Sequence, residues 1–229
     1  MNCRIRNVWC VSLFWTTICL VTLQFSQAYE VPLTPAAIHE AYVLGQRNDQ
    51  VTGDFLHPYI SACSTPGESC FITQIEMLTP FAQVVDLSWR NATRGYTEQQ
   101  AVHDYHQARD KIIVEITLVL RTAYARATQN KSEKNPSPED AKNSPLHPEN
   151  FWQNFRFSLK QHGRVIAPRS IHSEPIYSTP TDDANPVLNG ATVQLEYDSK
   201  QVASEQTTVE VLTPESKTIT ASFDLKKLR

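Results

Sequence analysis

The stretch Ile112–Leu120, which reads IIVEITLVL, is the most strand-prone part of this sequence. Most of its side chains are β-branched, and such side chains favour the pleated, partly buried environment of a strand. One face of the stretch is apolar almost without a break. We therefore predict a central strand here and assign the rest of the chain outward from it.

Helices and strands alternate on the N-terminal side of this stretch. Threonine before proline predicts a helix start, because threonine can cap the helix and proline suits its first turn. A threonine followed three residues later by glutamine predicts a capping box. The predicted elements are a helix of about four turns from Thr34 and Pro35 that is ended by Asn48-Asp49 and Gly53-Asp54, a strand over Phe71–Leu78, its continuation over Phe81–Trp89 after an interruption at Pro80, and a helix from Thr97 and Gln100 to about Arg109.

On the C-terminal side the pattern is that of strands alone. Short alternating runs are separated by turn residues at roughly ten-residue spacing, which is typical of a β-sandwich. The predicted elements are a strand over Phe151–Lys160, a turn at Gln161–Gly163 before Val165 and Ile166, a proline-broken loop over Glu174–Asn189, and three strands around Val193–Tyr197, Val209–Val211 and Ile219–Leu225, the last two joined by a turn at Thr213–Ser216.

The fold class predicted from these elements is α+β. It combines two short helices and a mostly antiparallel sheet in the N-terminal half with a β-sandwich-like C-terminal half. The boundaries are a signal peptide over 1–28, an α+β region over 29–128, a linker or insertion over 129–150 and a β-rich region over 151–229. The linker is rich in proline and charge and poor in large aliphatic residues. The two folded regions could form one domain.

The first 28 residues have the pattern of a secretory signal. Arg4 and Arg6 precede an apolar run, and Ser26-Gln27-Ala28 offers small residues for cleavage before Tyr29. An uncleaved membrane anchor is the alternative, since a spanning helix needs about 20 apolar residues. We predict cleavage and a secreted or periplasmic protein that meets the membrane only through its signal peptide.

Composition excludes one class of partner. The chain has 229 residues and a formal net charge of −3 at pH 7. Binding to a polyphosphate backbone requires a basic surface, and this balance supplies none. Nucleic acid is therefore not a predicted partner.

Two cysteines remain after the predicted signal. Cys63 and Cys70 flank six residues with Pro66 and Gly67 at their centre, which is a turn signal. Outside the cytoplasm an even pair of cysteines predicts a disulfide. We predict a hairpin closed by a Cys63–Cys70 disulfide; a redox-active pair is the alternative, although catalytic dithiols favour a two-residue gap.

No motif of a catalytic serine or of a phosphate loop occurs. The strongest metal candidate is the helical stripe of His103, His106 and Asp110. An apolar stripe with Ala101 and Tyr105 lies opposite and should face the core. We therefore predict that the histidines face solvent, and we predict no metal or other cofactor.

Four other polar or aromatic features have simpler interpretations. We interpret His39-Glu40 as helix surface, and the loop Asp182-Asp183-Ala184-Asn185 with Asn189-Gly190 as turn chemistry. The triplets Asn91-Ala92-Thr93 and Asn130-Lys131-Ser132 are interpreted as chance sequons, which would matter only in a glycosylating host. Phe151-Trp152 is interpreted as a core anchor.

These observations together predict an exported, non-enzymatic binding or structural module of the cell envelope or the extracellular space. Its partner would be a protein or a glycan bound at sheet edges or proline-rich loops. The alternative is an exported hydrolase whose site is assembled from distant acidic and histidine residues. A pocket with convergent carboxylates of perturbed protonation would favour the hydrolase, and open strand edges would favour the binder.

Overall fold

The computed structural model describes residues 29–65, 70–108, 110–120, 148–177, 186 and 188–229. Helices and antiparallel strands are mixed in these ranges, which confirms the α+β class at that level. The helices are α1 (Pro35–Gln46), α2 (Gln50–Leu56), α3 (Pro80–Arg90) and α4 (Glu98–Ala108). The strands are β1 (Ile60–Thr65), β2 (Cys70–Leu78), β3 (Lys111–Leu120), β4 (Arg156–Gln161), β5 (Arg164–Ile166), β6 (Ser170–Tyr177), β7 (Leu188–Asp198), β8 (Gln206–Leu212) and β9 (Thr218–Asp224).

Two antiparallel sheets organise these strands. The first has the order β1-β2-β3-β7-β6 and the second the order β5-β4-β8-β9. The predicted central strand is confirmed, because β3 lies between β2 and β7. The two sheets do not follow the two halves of the chain, since β6 and β7 of the C-terminal half pair into the sheet of the N-terminal half.

The two faces of β3 differ in burial. Its even-numbered side chains from Ile112 to Leu118 have no exposed surface, whereas Glu115, Thr117 and Val119 on the other face are half-buried. The even-numbered residues belong to one hydrophobic cluster that also contains Leu159, Val209, Val211 and Phe223 of the second sheet. Burial of that size explains why this stretch is a central strand.

Threonine and proline start two of the helices. Thr34 caps α1, as predicted, with its Oγ1 accepting from the Ala37 amide at 3.2 Å. Thr79 caps α3 in the same way through the Ala82 amide at 3.3 Å. The predicted strand over Phe81–Trp89 is therefore wrong, because capping and the i, i+4 burial of Phe81 and Val85 favour a helix.

The remaining helix predictions are largely confirmed. The capping box is present, since Thr97 N donates to Gln100 Oε1 at 2.8 Å and Gln100 N donates to Thr97 Oγ1 at 3.3 Å. The first helix ends at Gln46, just before Asn48-Asp49, the first of its two predicted stop signals. Asp49 then caps α2 through two backbone amides, so that Gly53 lies inside a second helix.

Two details of the C-terminal half differ from prediction and a third is confirmed. Phe151–Phe155 is not strand; a 3₁₀ helix over Pro148–Asn154 comes before β4. Glu174 and Pro175 lie in β6, an edge strand where proline is tolerated. The predicted turn before β5 is confirmed: His162 and Gly163 both have positive φ, which is typical of a type I′ hairpin.

Several predictions fall on residues outside the described ranges. They concern the signal peptide over 1–28, residues 129–147 of the linker, and Asp182 to Asn185. Within the part of the chain that the structure describes, no helix has the length and hydropathy needed to cross a bilayer.

Candidate functional site

A row of polar side chains crosses the first sheet. Glu76 of β2 pairs with Glu115 of β3, Glu115 pairs with Gln194 of β7, and Gln194 pairs with His172 of β6. Directly opposed residues of antiparallel strands have Cβ atoms about 5 Å apart and share a face. The row therefore places two glutamates side by side, where like charges repel.

Helix α3 adds a third carboxylate and an arginine above this row. Arg90 Nε lies 2.9 Å from both Asp86 carboxylate oxygens, across one helical turn. Asp86 is buried, and the helix packs on β2. Arg90 also acts electrostatically on Glu76 and Glu115, so one guanidinium serves three carboxyl groups.

The pKa values of these three carboxyl groups lie above those of ordinary carboxyl groups. Burial, reinforced by Asp86 and Glu115, raises the pKa of Glu76 to about 7. Burial also raises the pKa of Glu115 and of Asp86, although the Arg90 charge opposes both shifts. Desolvation disfavours the charged form of a carboxyl group, and Glu76 is only 4% exposed. Glu76 therefore keeps its proton to a higher pH than an ordinary glutamate.

A cavity of about 250 Å³ lies between α3, α4 and this face of the sheet. Its apolar lining comes from both helices and the sheet, and its polar lining includes three carboxylates and two tyrosines. The lining residues are Leu78, Pro80, Gln83, Val84, Asp86, Leu87, Arg90, Tyr96, Ala101, Asp104, Tyr105, Ala108, Lys111, Ile113, Glu115 and Gln194. Glu76 is not among them, although it pairs with Glu115 on the neighbouring strand.

Hydrogen bonds and ion pairs hold most of the polar wall. Tyr96 donates its hydroxyl to Asp104 Oδ2 at 2.8 Å. The Tyr105 hydroxyl donates to Asp110 and accepts from the Leu33 amide at 2.6 Å. Lys111 is ion-paired with Glu196, outside the cavity. Glu115 has neither a hydrogen bond nor an ion pair with any described residue.

The histidine stripe that the sequence singled out faces solvent, as predicted. His103 and His106 are exposed on α4, and Asp110 is engaged by Tyr105. Among the residues that the structure describes, no three His, Cys, Asp or Glu side chains are grouped so as to hold a metal ion.

Most of the other polar and aromatic residues singled out in the sequence have ordinary structural positions. His39 is exposed and its Nδ1 lies 2.9 Å from Glu98 Oε1. Asn91 follows α3 and donates to the Leu87 carbonyl at 2.9 Å. Phe151 is buried, as the core-anchor interpretation predicted. Asn189 is exposed in β7, and Asn130 lies outside the described ranges.

The two cysteines lie on adjacent strands of the predicted hairpin. Ala62 pairs with Gln74 and Thr65 with Ile72, so Cys63 and Cys70 are not opposite each other in the ladder. Cys63 is half-buried, with its Sγ 3.6 Å from the Ser61 carbonyl oxygen. The side chain of Cys70 lies outside the described set, and the disulfide stays a prediction.

The row of polar side chains could not be predicted from the sequence for two reasons. Alternation along the predicted strand Phe71–Leu78 puts Glu76 on the face opposite its buried residues. Asp86 lies in the predicted strand Phe81–Trp89, and Arg90 follows directly after it. The spacing of Asp86 and Arg90, four residues apart, is a helical ion-pair signal and was available. The facing of Glu76 and Glu115 depends on strand register, which alternation alone does not give.

Comparison of the chain with known protein families, with curated proteins and with solved structures finds no match.

Proposed function

We propose that this chain is an exported binding protein and that the cavity between α3, α4 and the first sheet is its ligand site. The cavity carries the proposal. Its walls are largely apolar, and a few polar groups converge on it, which is the composition of small-molecule sites. Its volume corresponds to about eight water molecules of liquid, enough for a small organic ligand.

The position of Glu76, the glutamate with the raised pKa, favours binding over catalysis. A general acid must reach the proton acceptor of its substrate within hydrogen-bond distance. Glu76 is 4% exposed and does not line the cavity. Asp86 is committed to Arg90, and Asp104 accepts from Tyr96. These contacts fix the walls in place and suit recognition.

A matched pair of substitutions tests the site. Ala108 lines the cavity at the end of α4 and is half-buried, whereas Ala36 is exposed on α1. We expect Ala108→Phe to fill the cavity and abolish binding of small fragments, detected as NMR shifts of the Val84, Leu87 and Ile113 methyl groups. Ala36→Phe should leave those shifts unchanged. Equal fragment binding by both variants would place the ligand site elsewhere.

Export is the second part of the proposal. Its support is the signal pattern of residues 1–28 and the anchoring of Tyr29, whose hydroxyl donates to the Ser199 carbonyl at 3.2 Å. Cleavage after Ala28 would thus leave an N-terminus held against the fold. N-terminal sequencing of protein from the extracellular or periplasmic fraction should begin at Tyr29. Recovery of protein that begins at Met1, in the cytoplasm alone, would contradict export.

An exported hydrolase is the second candidate, and the opposed glutamates favour it. Glu115 lines the cavity, and Glu76 beside it has a pKa near 7, the value that suits a general acid. Under this candidate Glu76→Gln and Glu115→Gln would each abolish turnover of a glycoside or ester. A binding protein would show no turnover in the unchanged chain.

A further inference from the structure

The charges around the cavity do not balance within the protein. Asp86 is paired with Arg90, and Lys111 is paired with Glu196. Three carboxyl groups near the cavity, those of Glu76, Asp104 and Glu115, have no ion pair with any described residue. The cations in the wall are thus already engaged, and the unpaired groups are all acidic.

Two aromatic rings provide an independent observation. Tyr96 and Tyr105 both line the cavity, and their hydroxyls are tied to Asp104 and Asp110. The rings are therefore held in fixed positions. The face of a phenol ring attracts a cation through its quadrupole, and tyrosine is a common component of sites for organic cations.

We infer that the ligand of this cavity is a small organic cation, with an ammonium or guanidinium group on an apolar body. Glu115 is the carboxylate that forms an ion pair with this group. Glu115 is the cavity carboxylate without a hydrogen bond in the described part of the chain. Leu87, Val84 and Ile113 supply the apolar wall for the body of the ligand. This inference rests on the proposed function and names the ligand class of the same site.

An anionic ligand fits this wall poorly. It would have to draw Arg90 away from Asp86 or Lys111 from Glu196, and each step would leave a carboxylate unpaired. It would also approach Glu115 and Asp104 against their charge. A cation meets neither cost, and it offsets the repulsion between the opposed glutamates.

Benzylammonium and benzyl alcohol are the test pair, because they have the same number of heavy atoms and differ in charge. We expect methyl NMR titration at neutral pH to show benzylammonium binding about tenfold more tightly than the alcohol, with shifts at Val84, Leu87 and Ile113. Glu115→Gln should remove that preference and leave alcohol binding unchanged. Glu210→Gln, on the second sheet, is the charge-matched control and should keep it.

The outcomes separate this inference from the proposed site. Equal or tighter binding of the alcohol, or a preference that survives Glu115→Gln, overturns the cation inference and leaves the cavity as the site. Failure of both probes to shift the three methyl groups overturns both proposals. Thermal unfolding of each variant shows whether it is folded, and Glu115→Gln retains the size of the side chain it replaces.

Discussion

Glu76 and Glu115 face each other across β2 and β3 although like charges in that position are destabilising. Glu76 is buried and Glu115 is half-buried, and Asp86 is the third carboxyl group in reach of the same arginine. A proton, or a second cation beside Arg90, would therefore stabilise the arrangement by reducing its negative charge. This makes the ionisation of Glu76 the most informative single property of the molecule.

We predict that Glu76→Gln makes folding stability less dependent on pH. The pKa of Glu76 is about 7 in the folded protein and near 4.5 in an ordinary environment, so the folded state binds more protons between these values. Stability contributed by this group is complete below pH 4.5 and falls as pH rises through 7, by up to about 3 kcal/mol. Urea unfolding at pH 5 and pH 8 measures the change.

The glutamine variant should match the unchanged chain at pH 5 and exceed it in stability at pH 8, because glutamine has no charge to bury. Glu210→Gln alters a glutamate paired with Lys160, which stays charged across this range, and should leave the slope as it is. A Glu76→Gln protein that is less stable than the unchanged chain at pH 8 would show that the Glu76 charge is favourable where it lies.

The Arg229 side chain contacts both an aromatic ring and a carboxylate. Its guanidinium lies 4.3 Å from the centre of the Phe81 ring and forms an ion pair with Glu40. Both charged groups are about half exposed, so the pair itself contributes little. We expect Arg229→Ala to cost about 1 kcal/mol, mainly from lost contact with Phe81, and most of the loss to persist in about 1 M salt. A loss that vanished in salt would assign it to Glu40 instead.

At the scale of elements, threonine and proline pairs carried more information than apolar alternation. Thr34-Pro35 predicted α1 correctly, and Thr79-Pro80 begins α3 in the same way. The prediction of a strand over Phe81–Trp89 relied on apolar alternation and overlooked this cap. Buried residues at Phe81, Val85 and Ser88 follow a helical spacing, because α3 packs one face against α1.

Two glycines in helices should respond oppositely to alanine. A Cβ on Gly45 would lie 2.3 Å from the Val85 carbonyl oxygen and 2.6 Å from Ser88 Cβ, whereas nothing lies within 4 Å of one on Gly53. We expect Gly45→Ala to separate α1 from α3 and cost about 2 kcal/mol or more. Gly53→Ala should stabilise α2 by about 0.5–1 kcal/mol. Urea unfolding of both variants measures this, and stabilisation by Gly45→Ala would contradict the close packing.

At the scale of the whole molecule, the sequence predicted strands better than it predicted sheets. Ile112–Leu120 identified β3 and its central place, and the alternation around Val193 identified β7. That the two strands pair with each other could not be predicted, because partners far apart in sequence are chosen by packing and register. The row of polar side chains could not be predicted for the same reason, since Glu76, Glu115 and Gln194 come from three strands that are separated in sequence.

The pairing of β3 with β7 makes the two halves of the chain depend on each other. β3 and β7 are joined from Lys111 opposite Asp198 to Val119 opposite Gly190, and a Cβ on Gly190 would lie 2.1 Å from the Leu118 carbonyl oxygen. Without β7, β3 would be a long apolar edge strand with unpaired backbone groups, a structure that aggregates. Neither half can therefore cover its own sheet.

We expect a chain split at residue 135 to fold only when both pieces are present. Residues 29–135 alone should be insoluble, and residues 136–229 alone should lack β3 as a partner for β7. Co-expression of both should yield a one-to-one complex with a single cooperative unfolding transition, measured by size-exclusion chromatography and circular dichroism. A fragment that folded by itself would show that β3 or β7 finds another partner. Gly190→Val in the intact chain should weaken the same pairing, because its side chain would meet the β3 backbone.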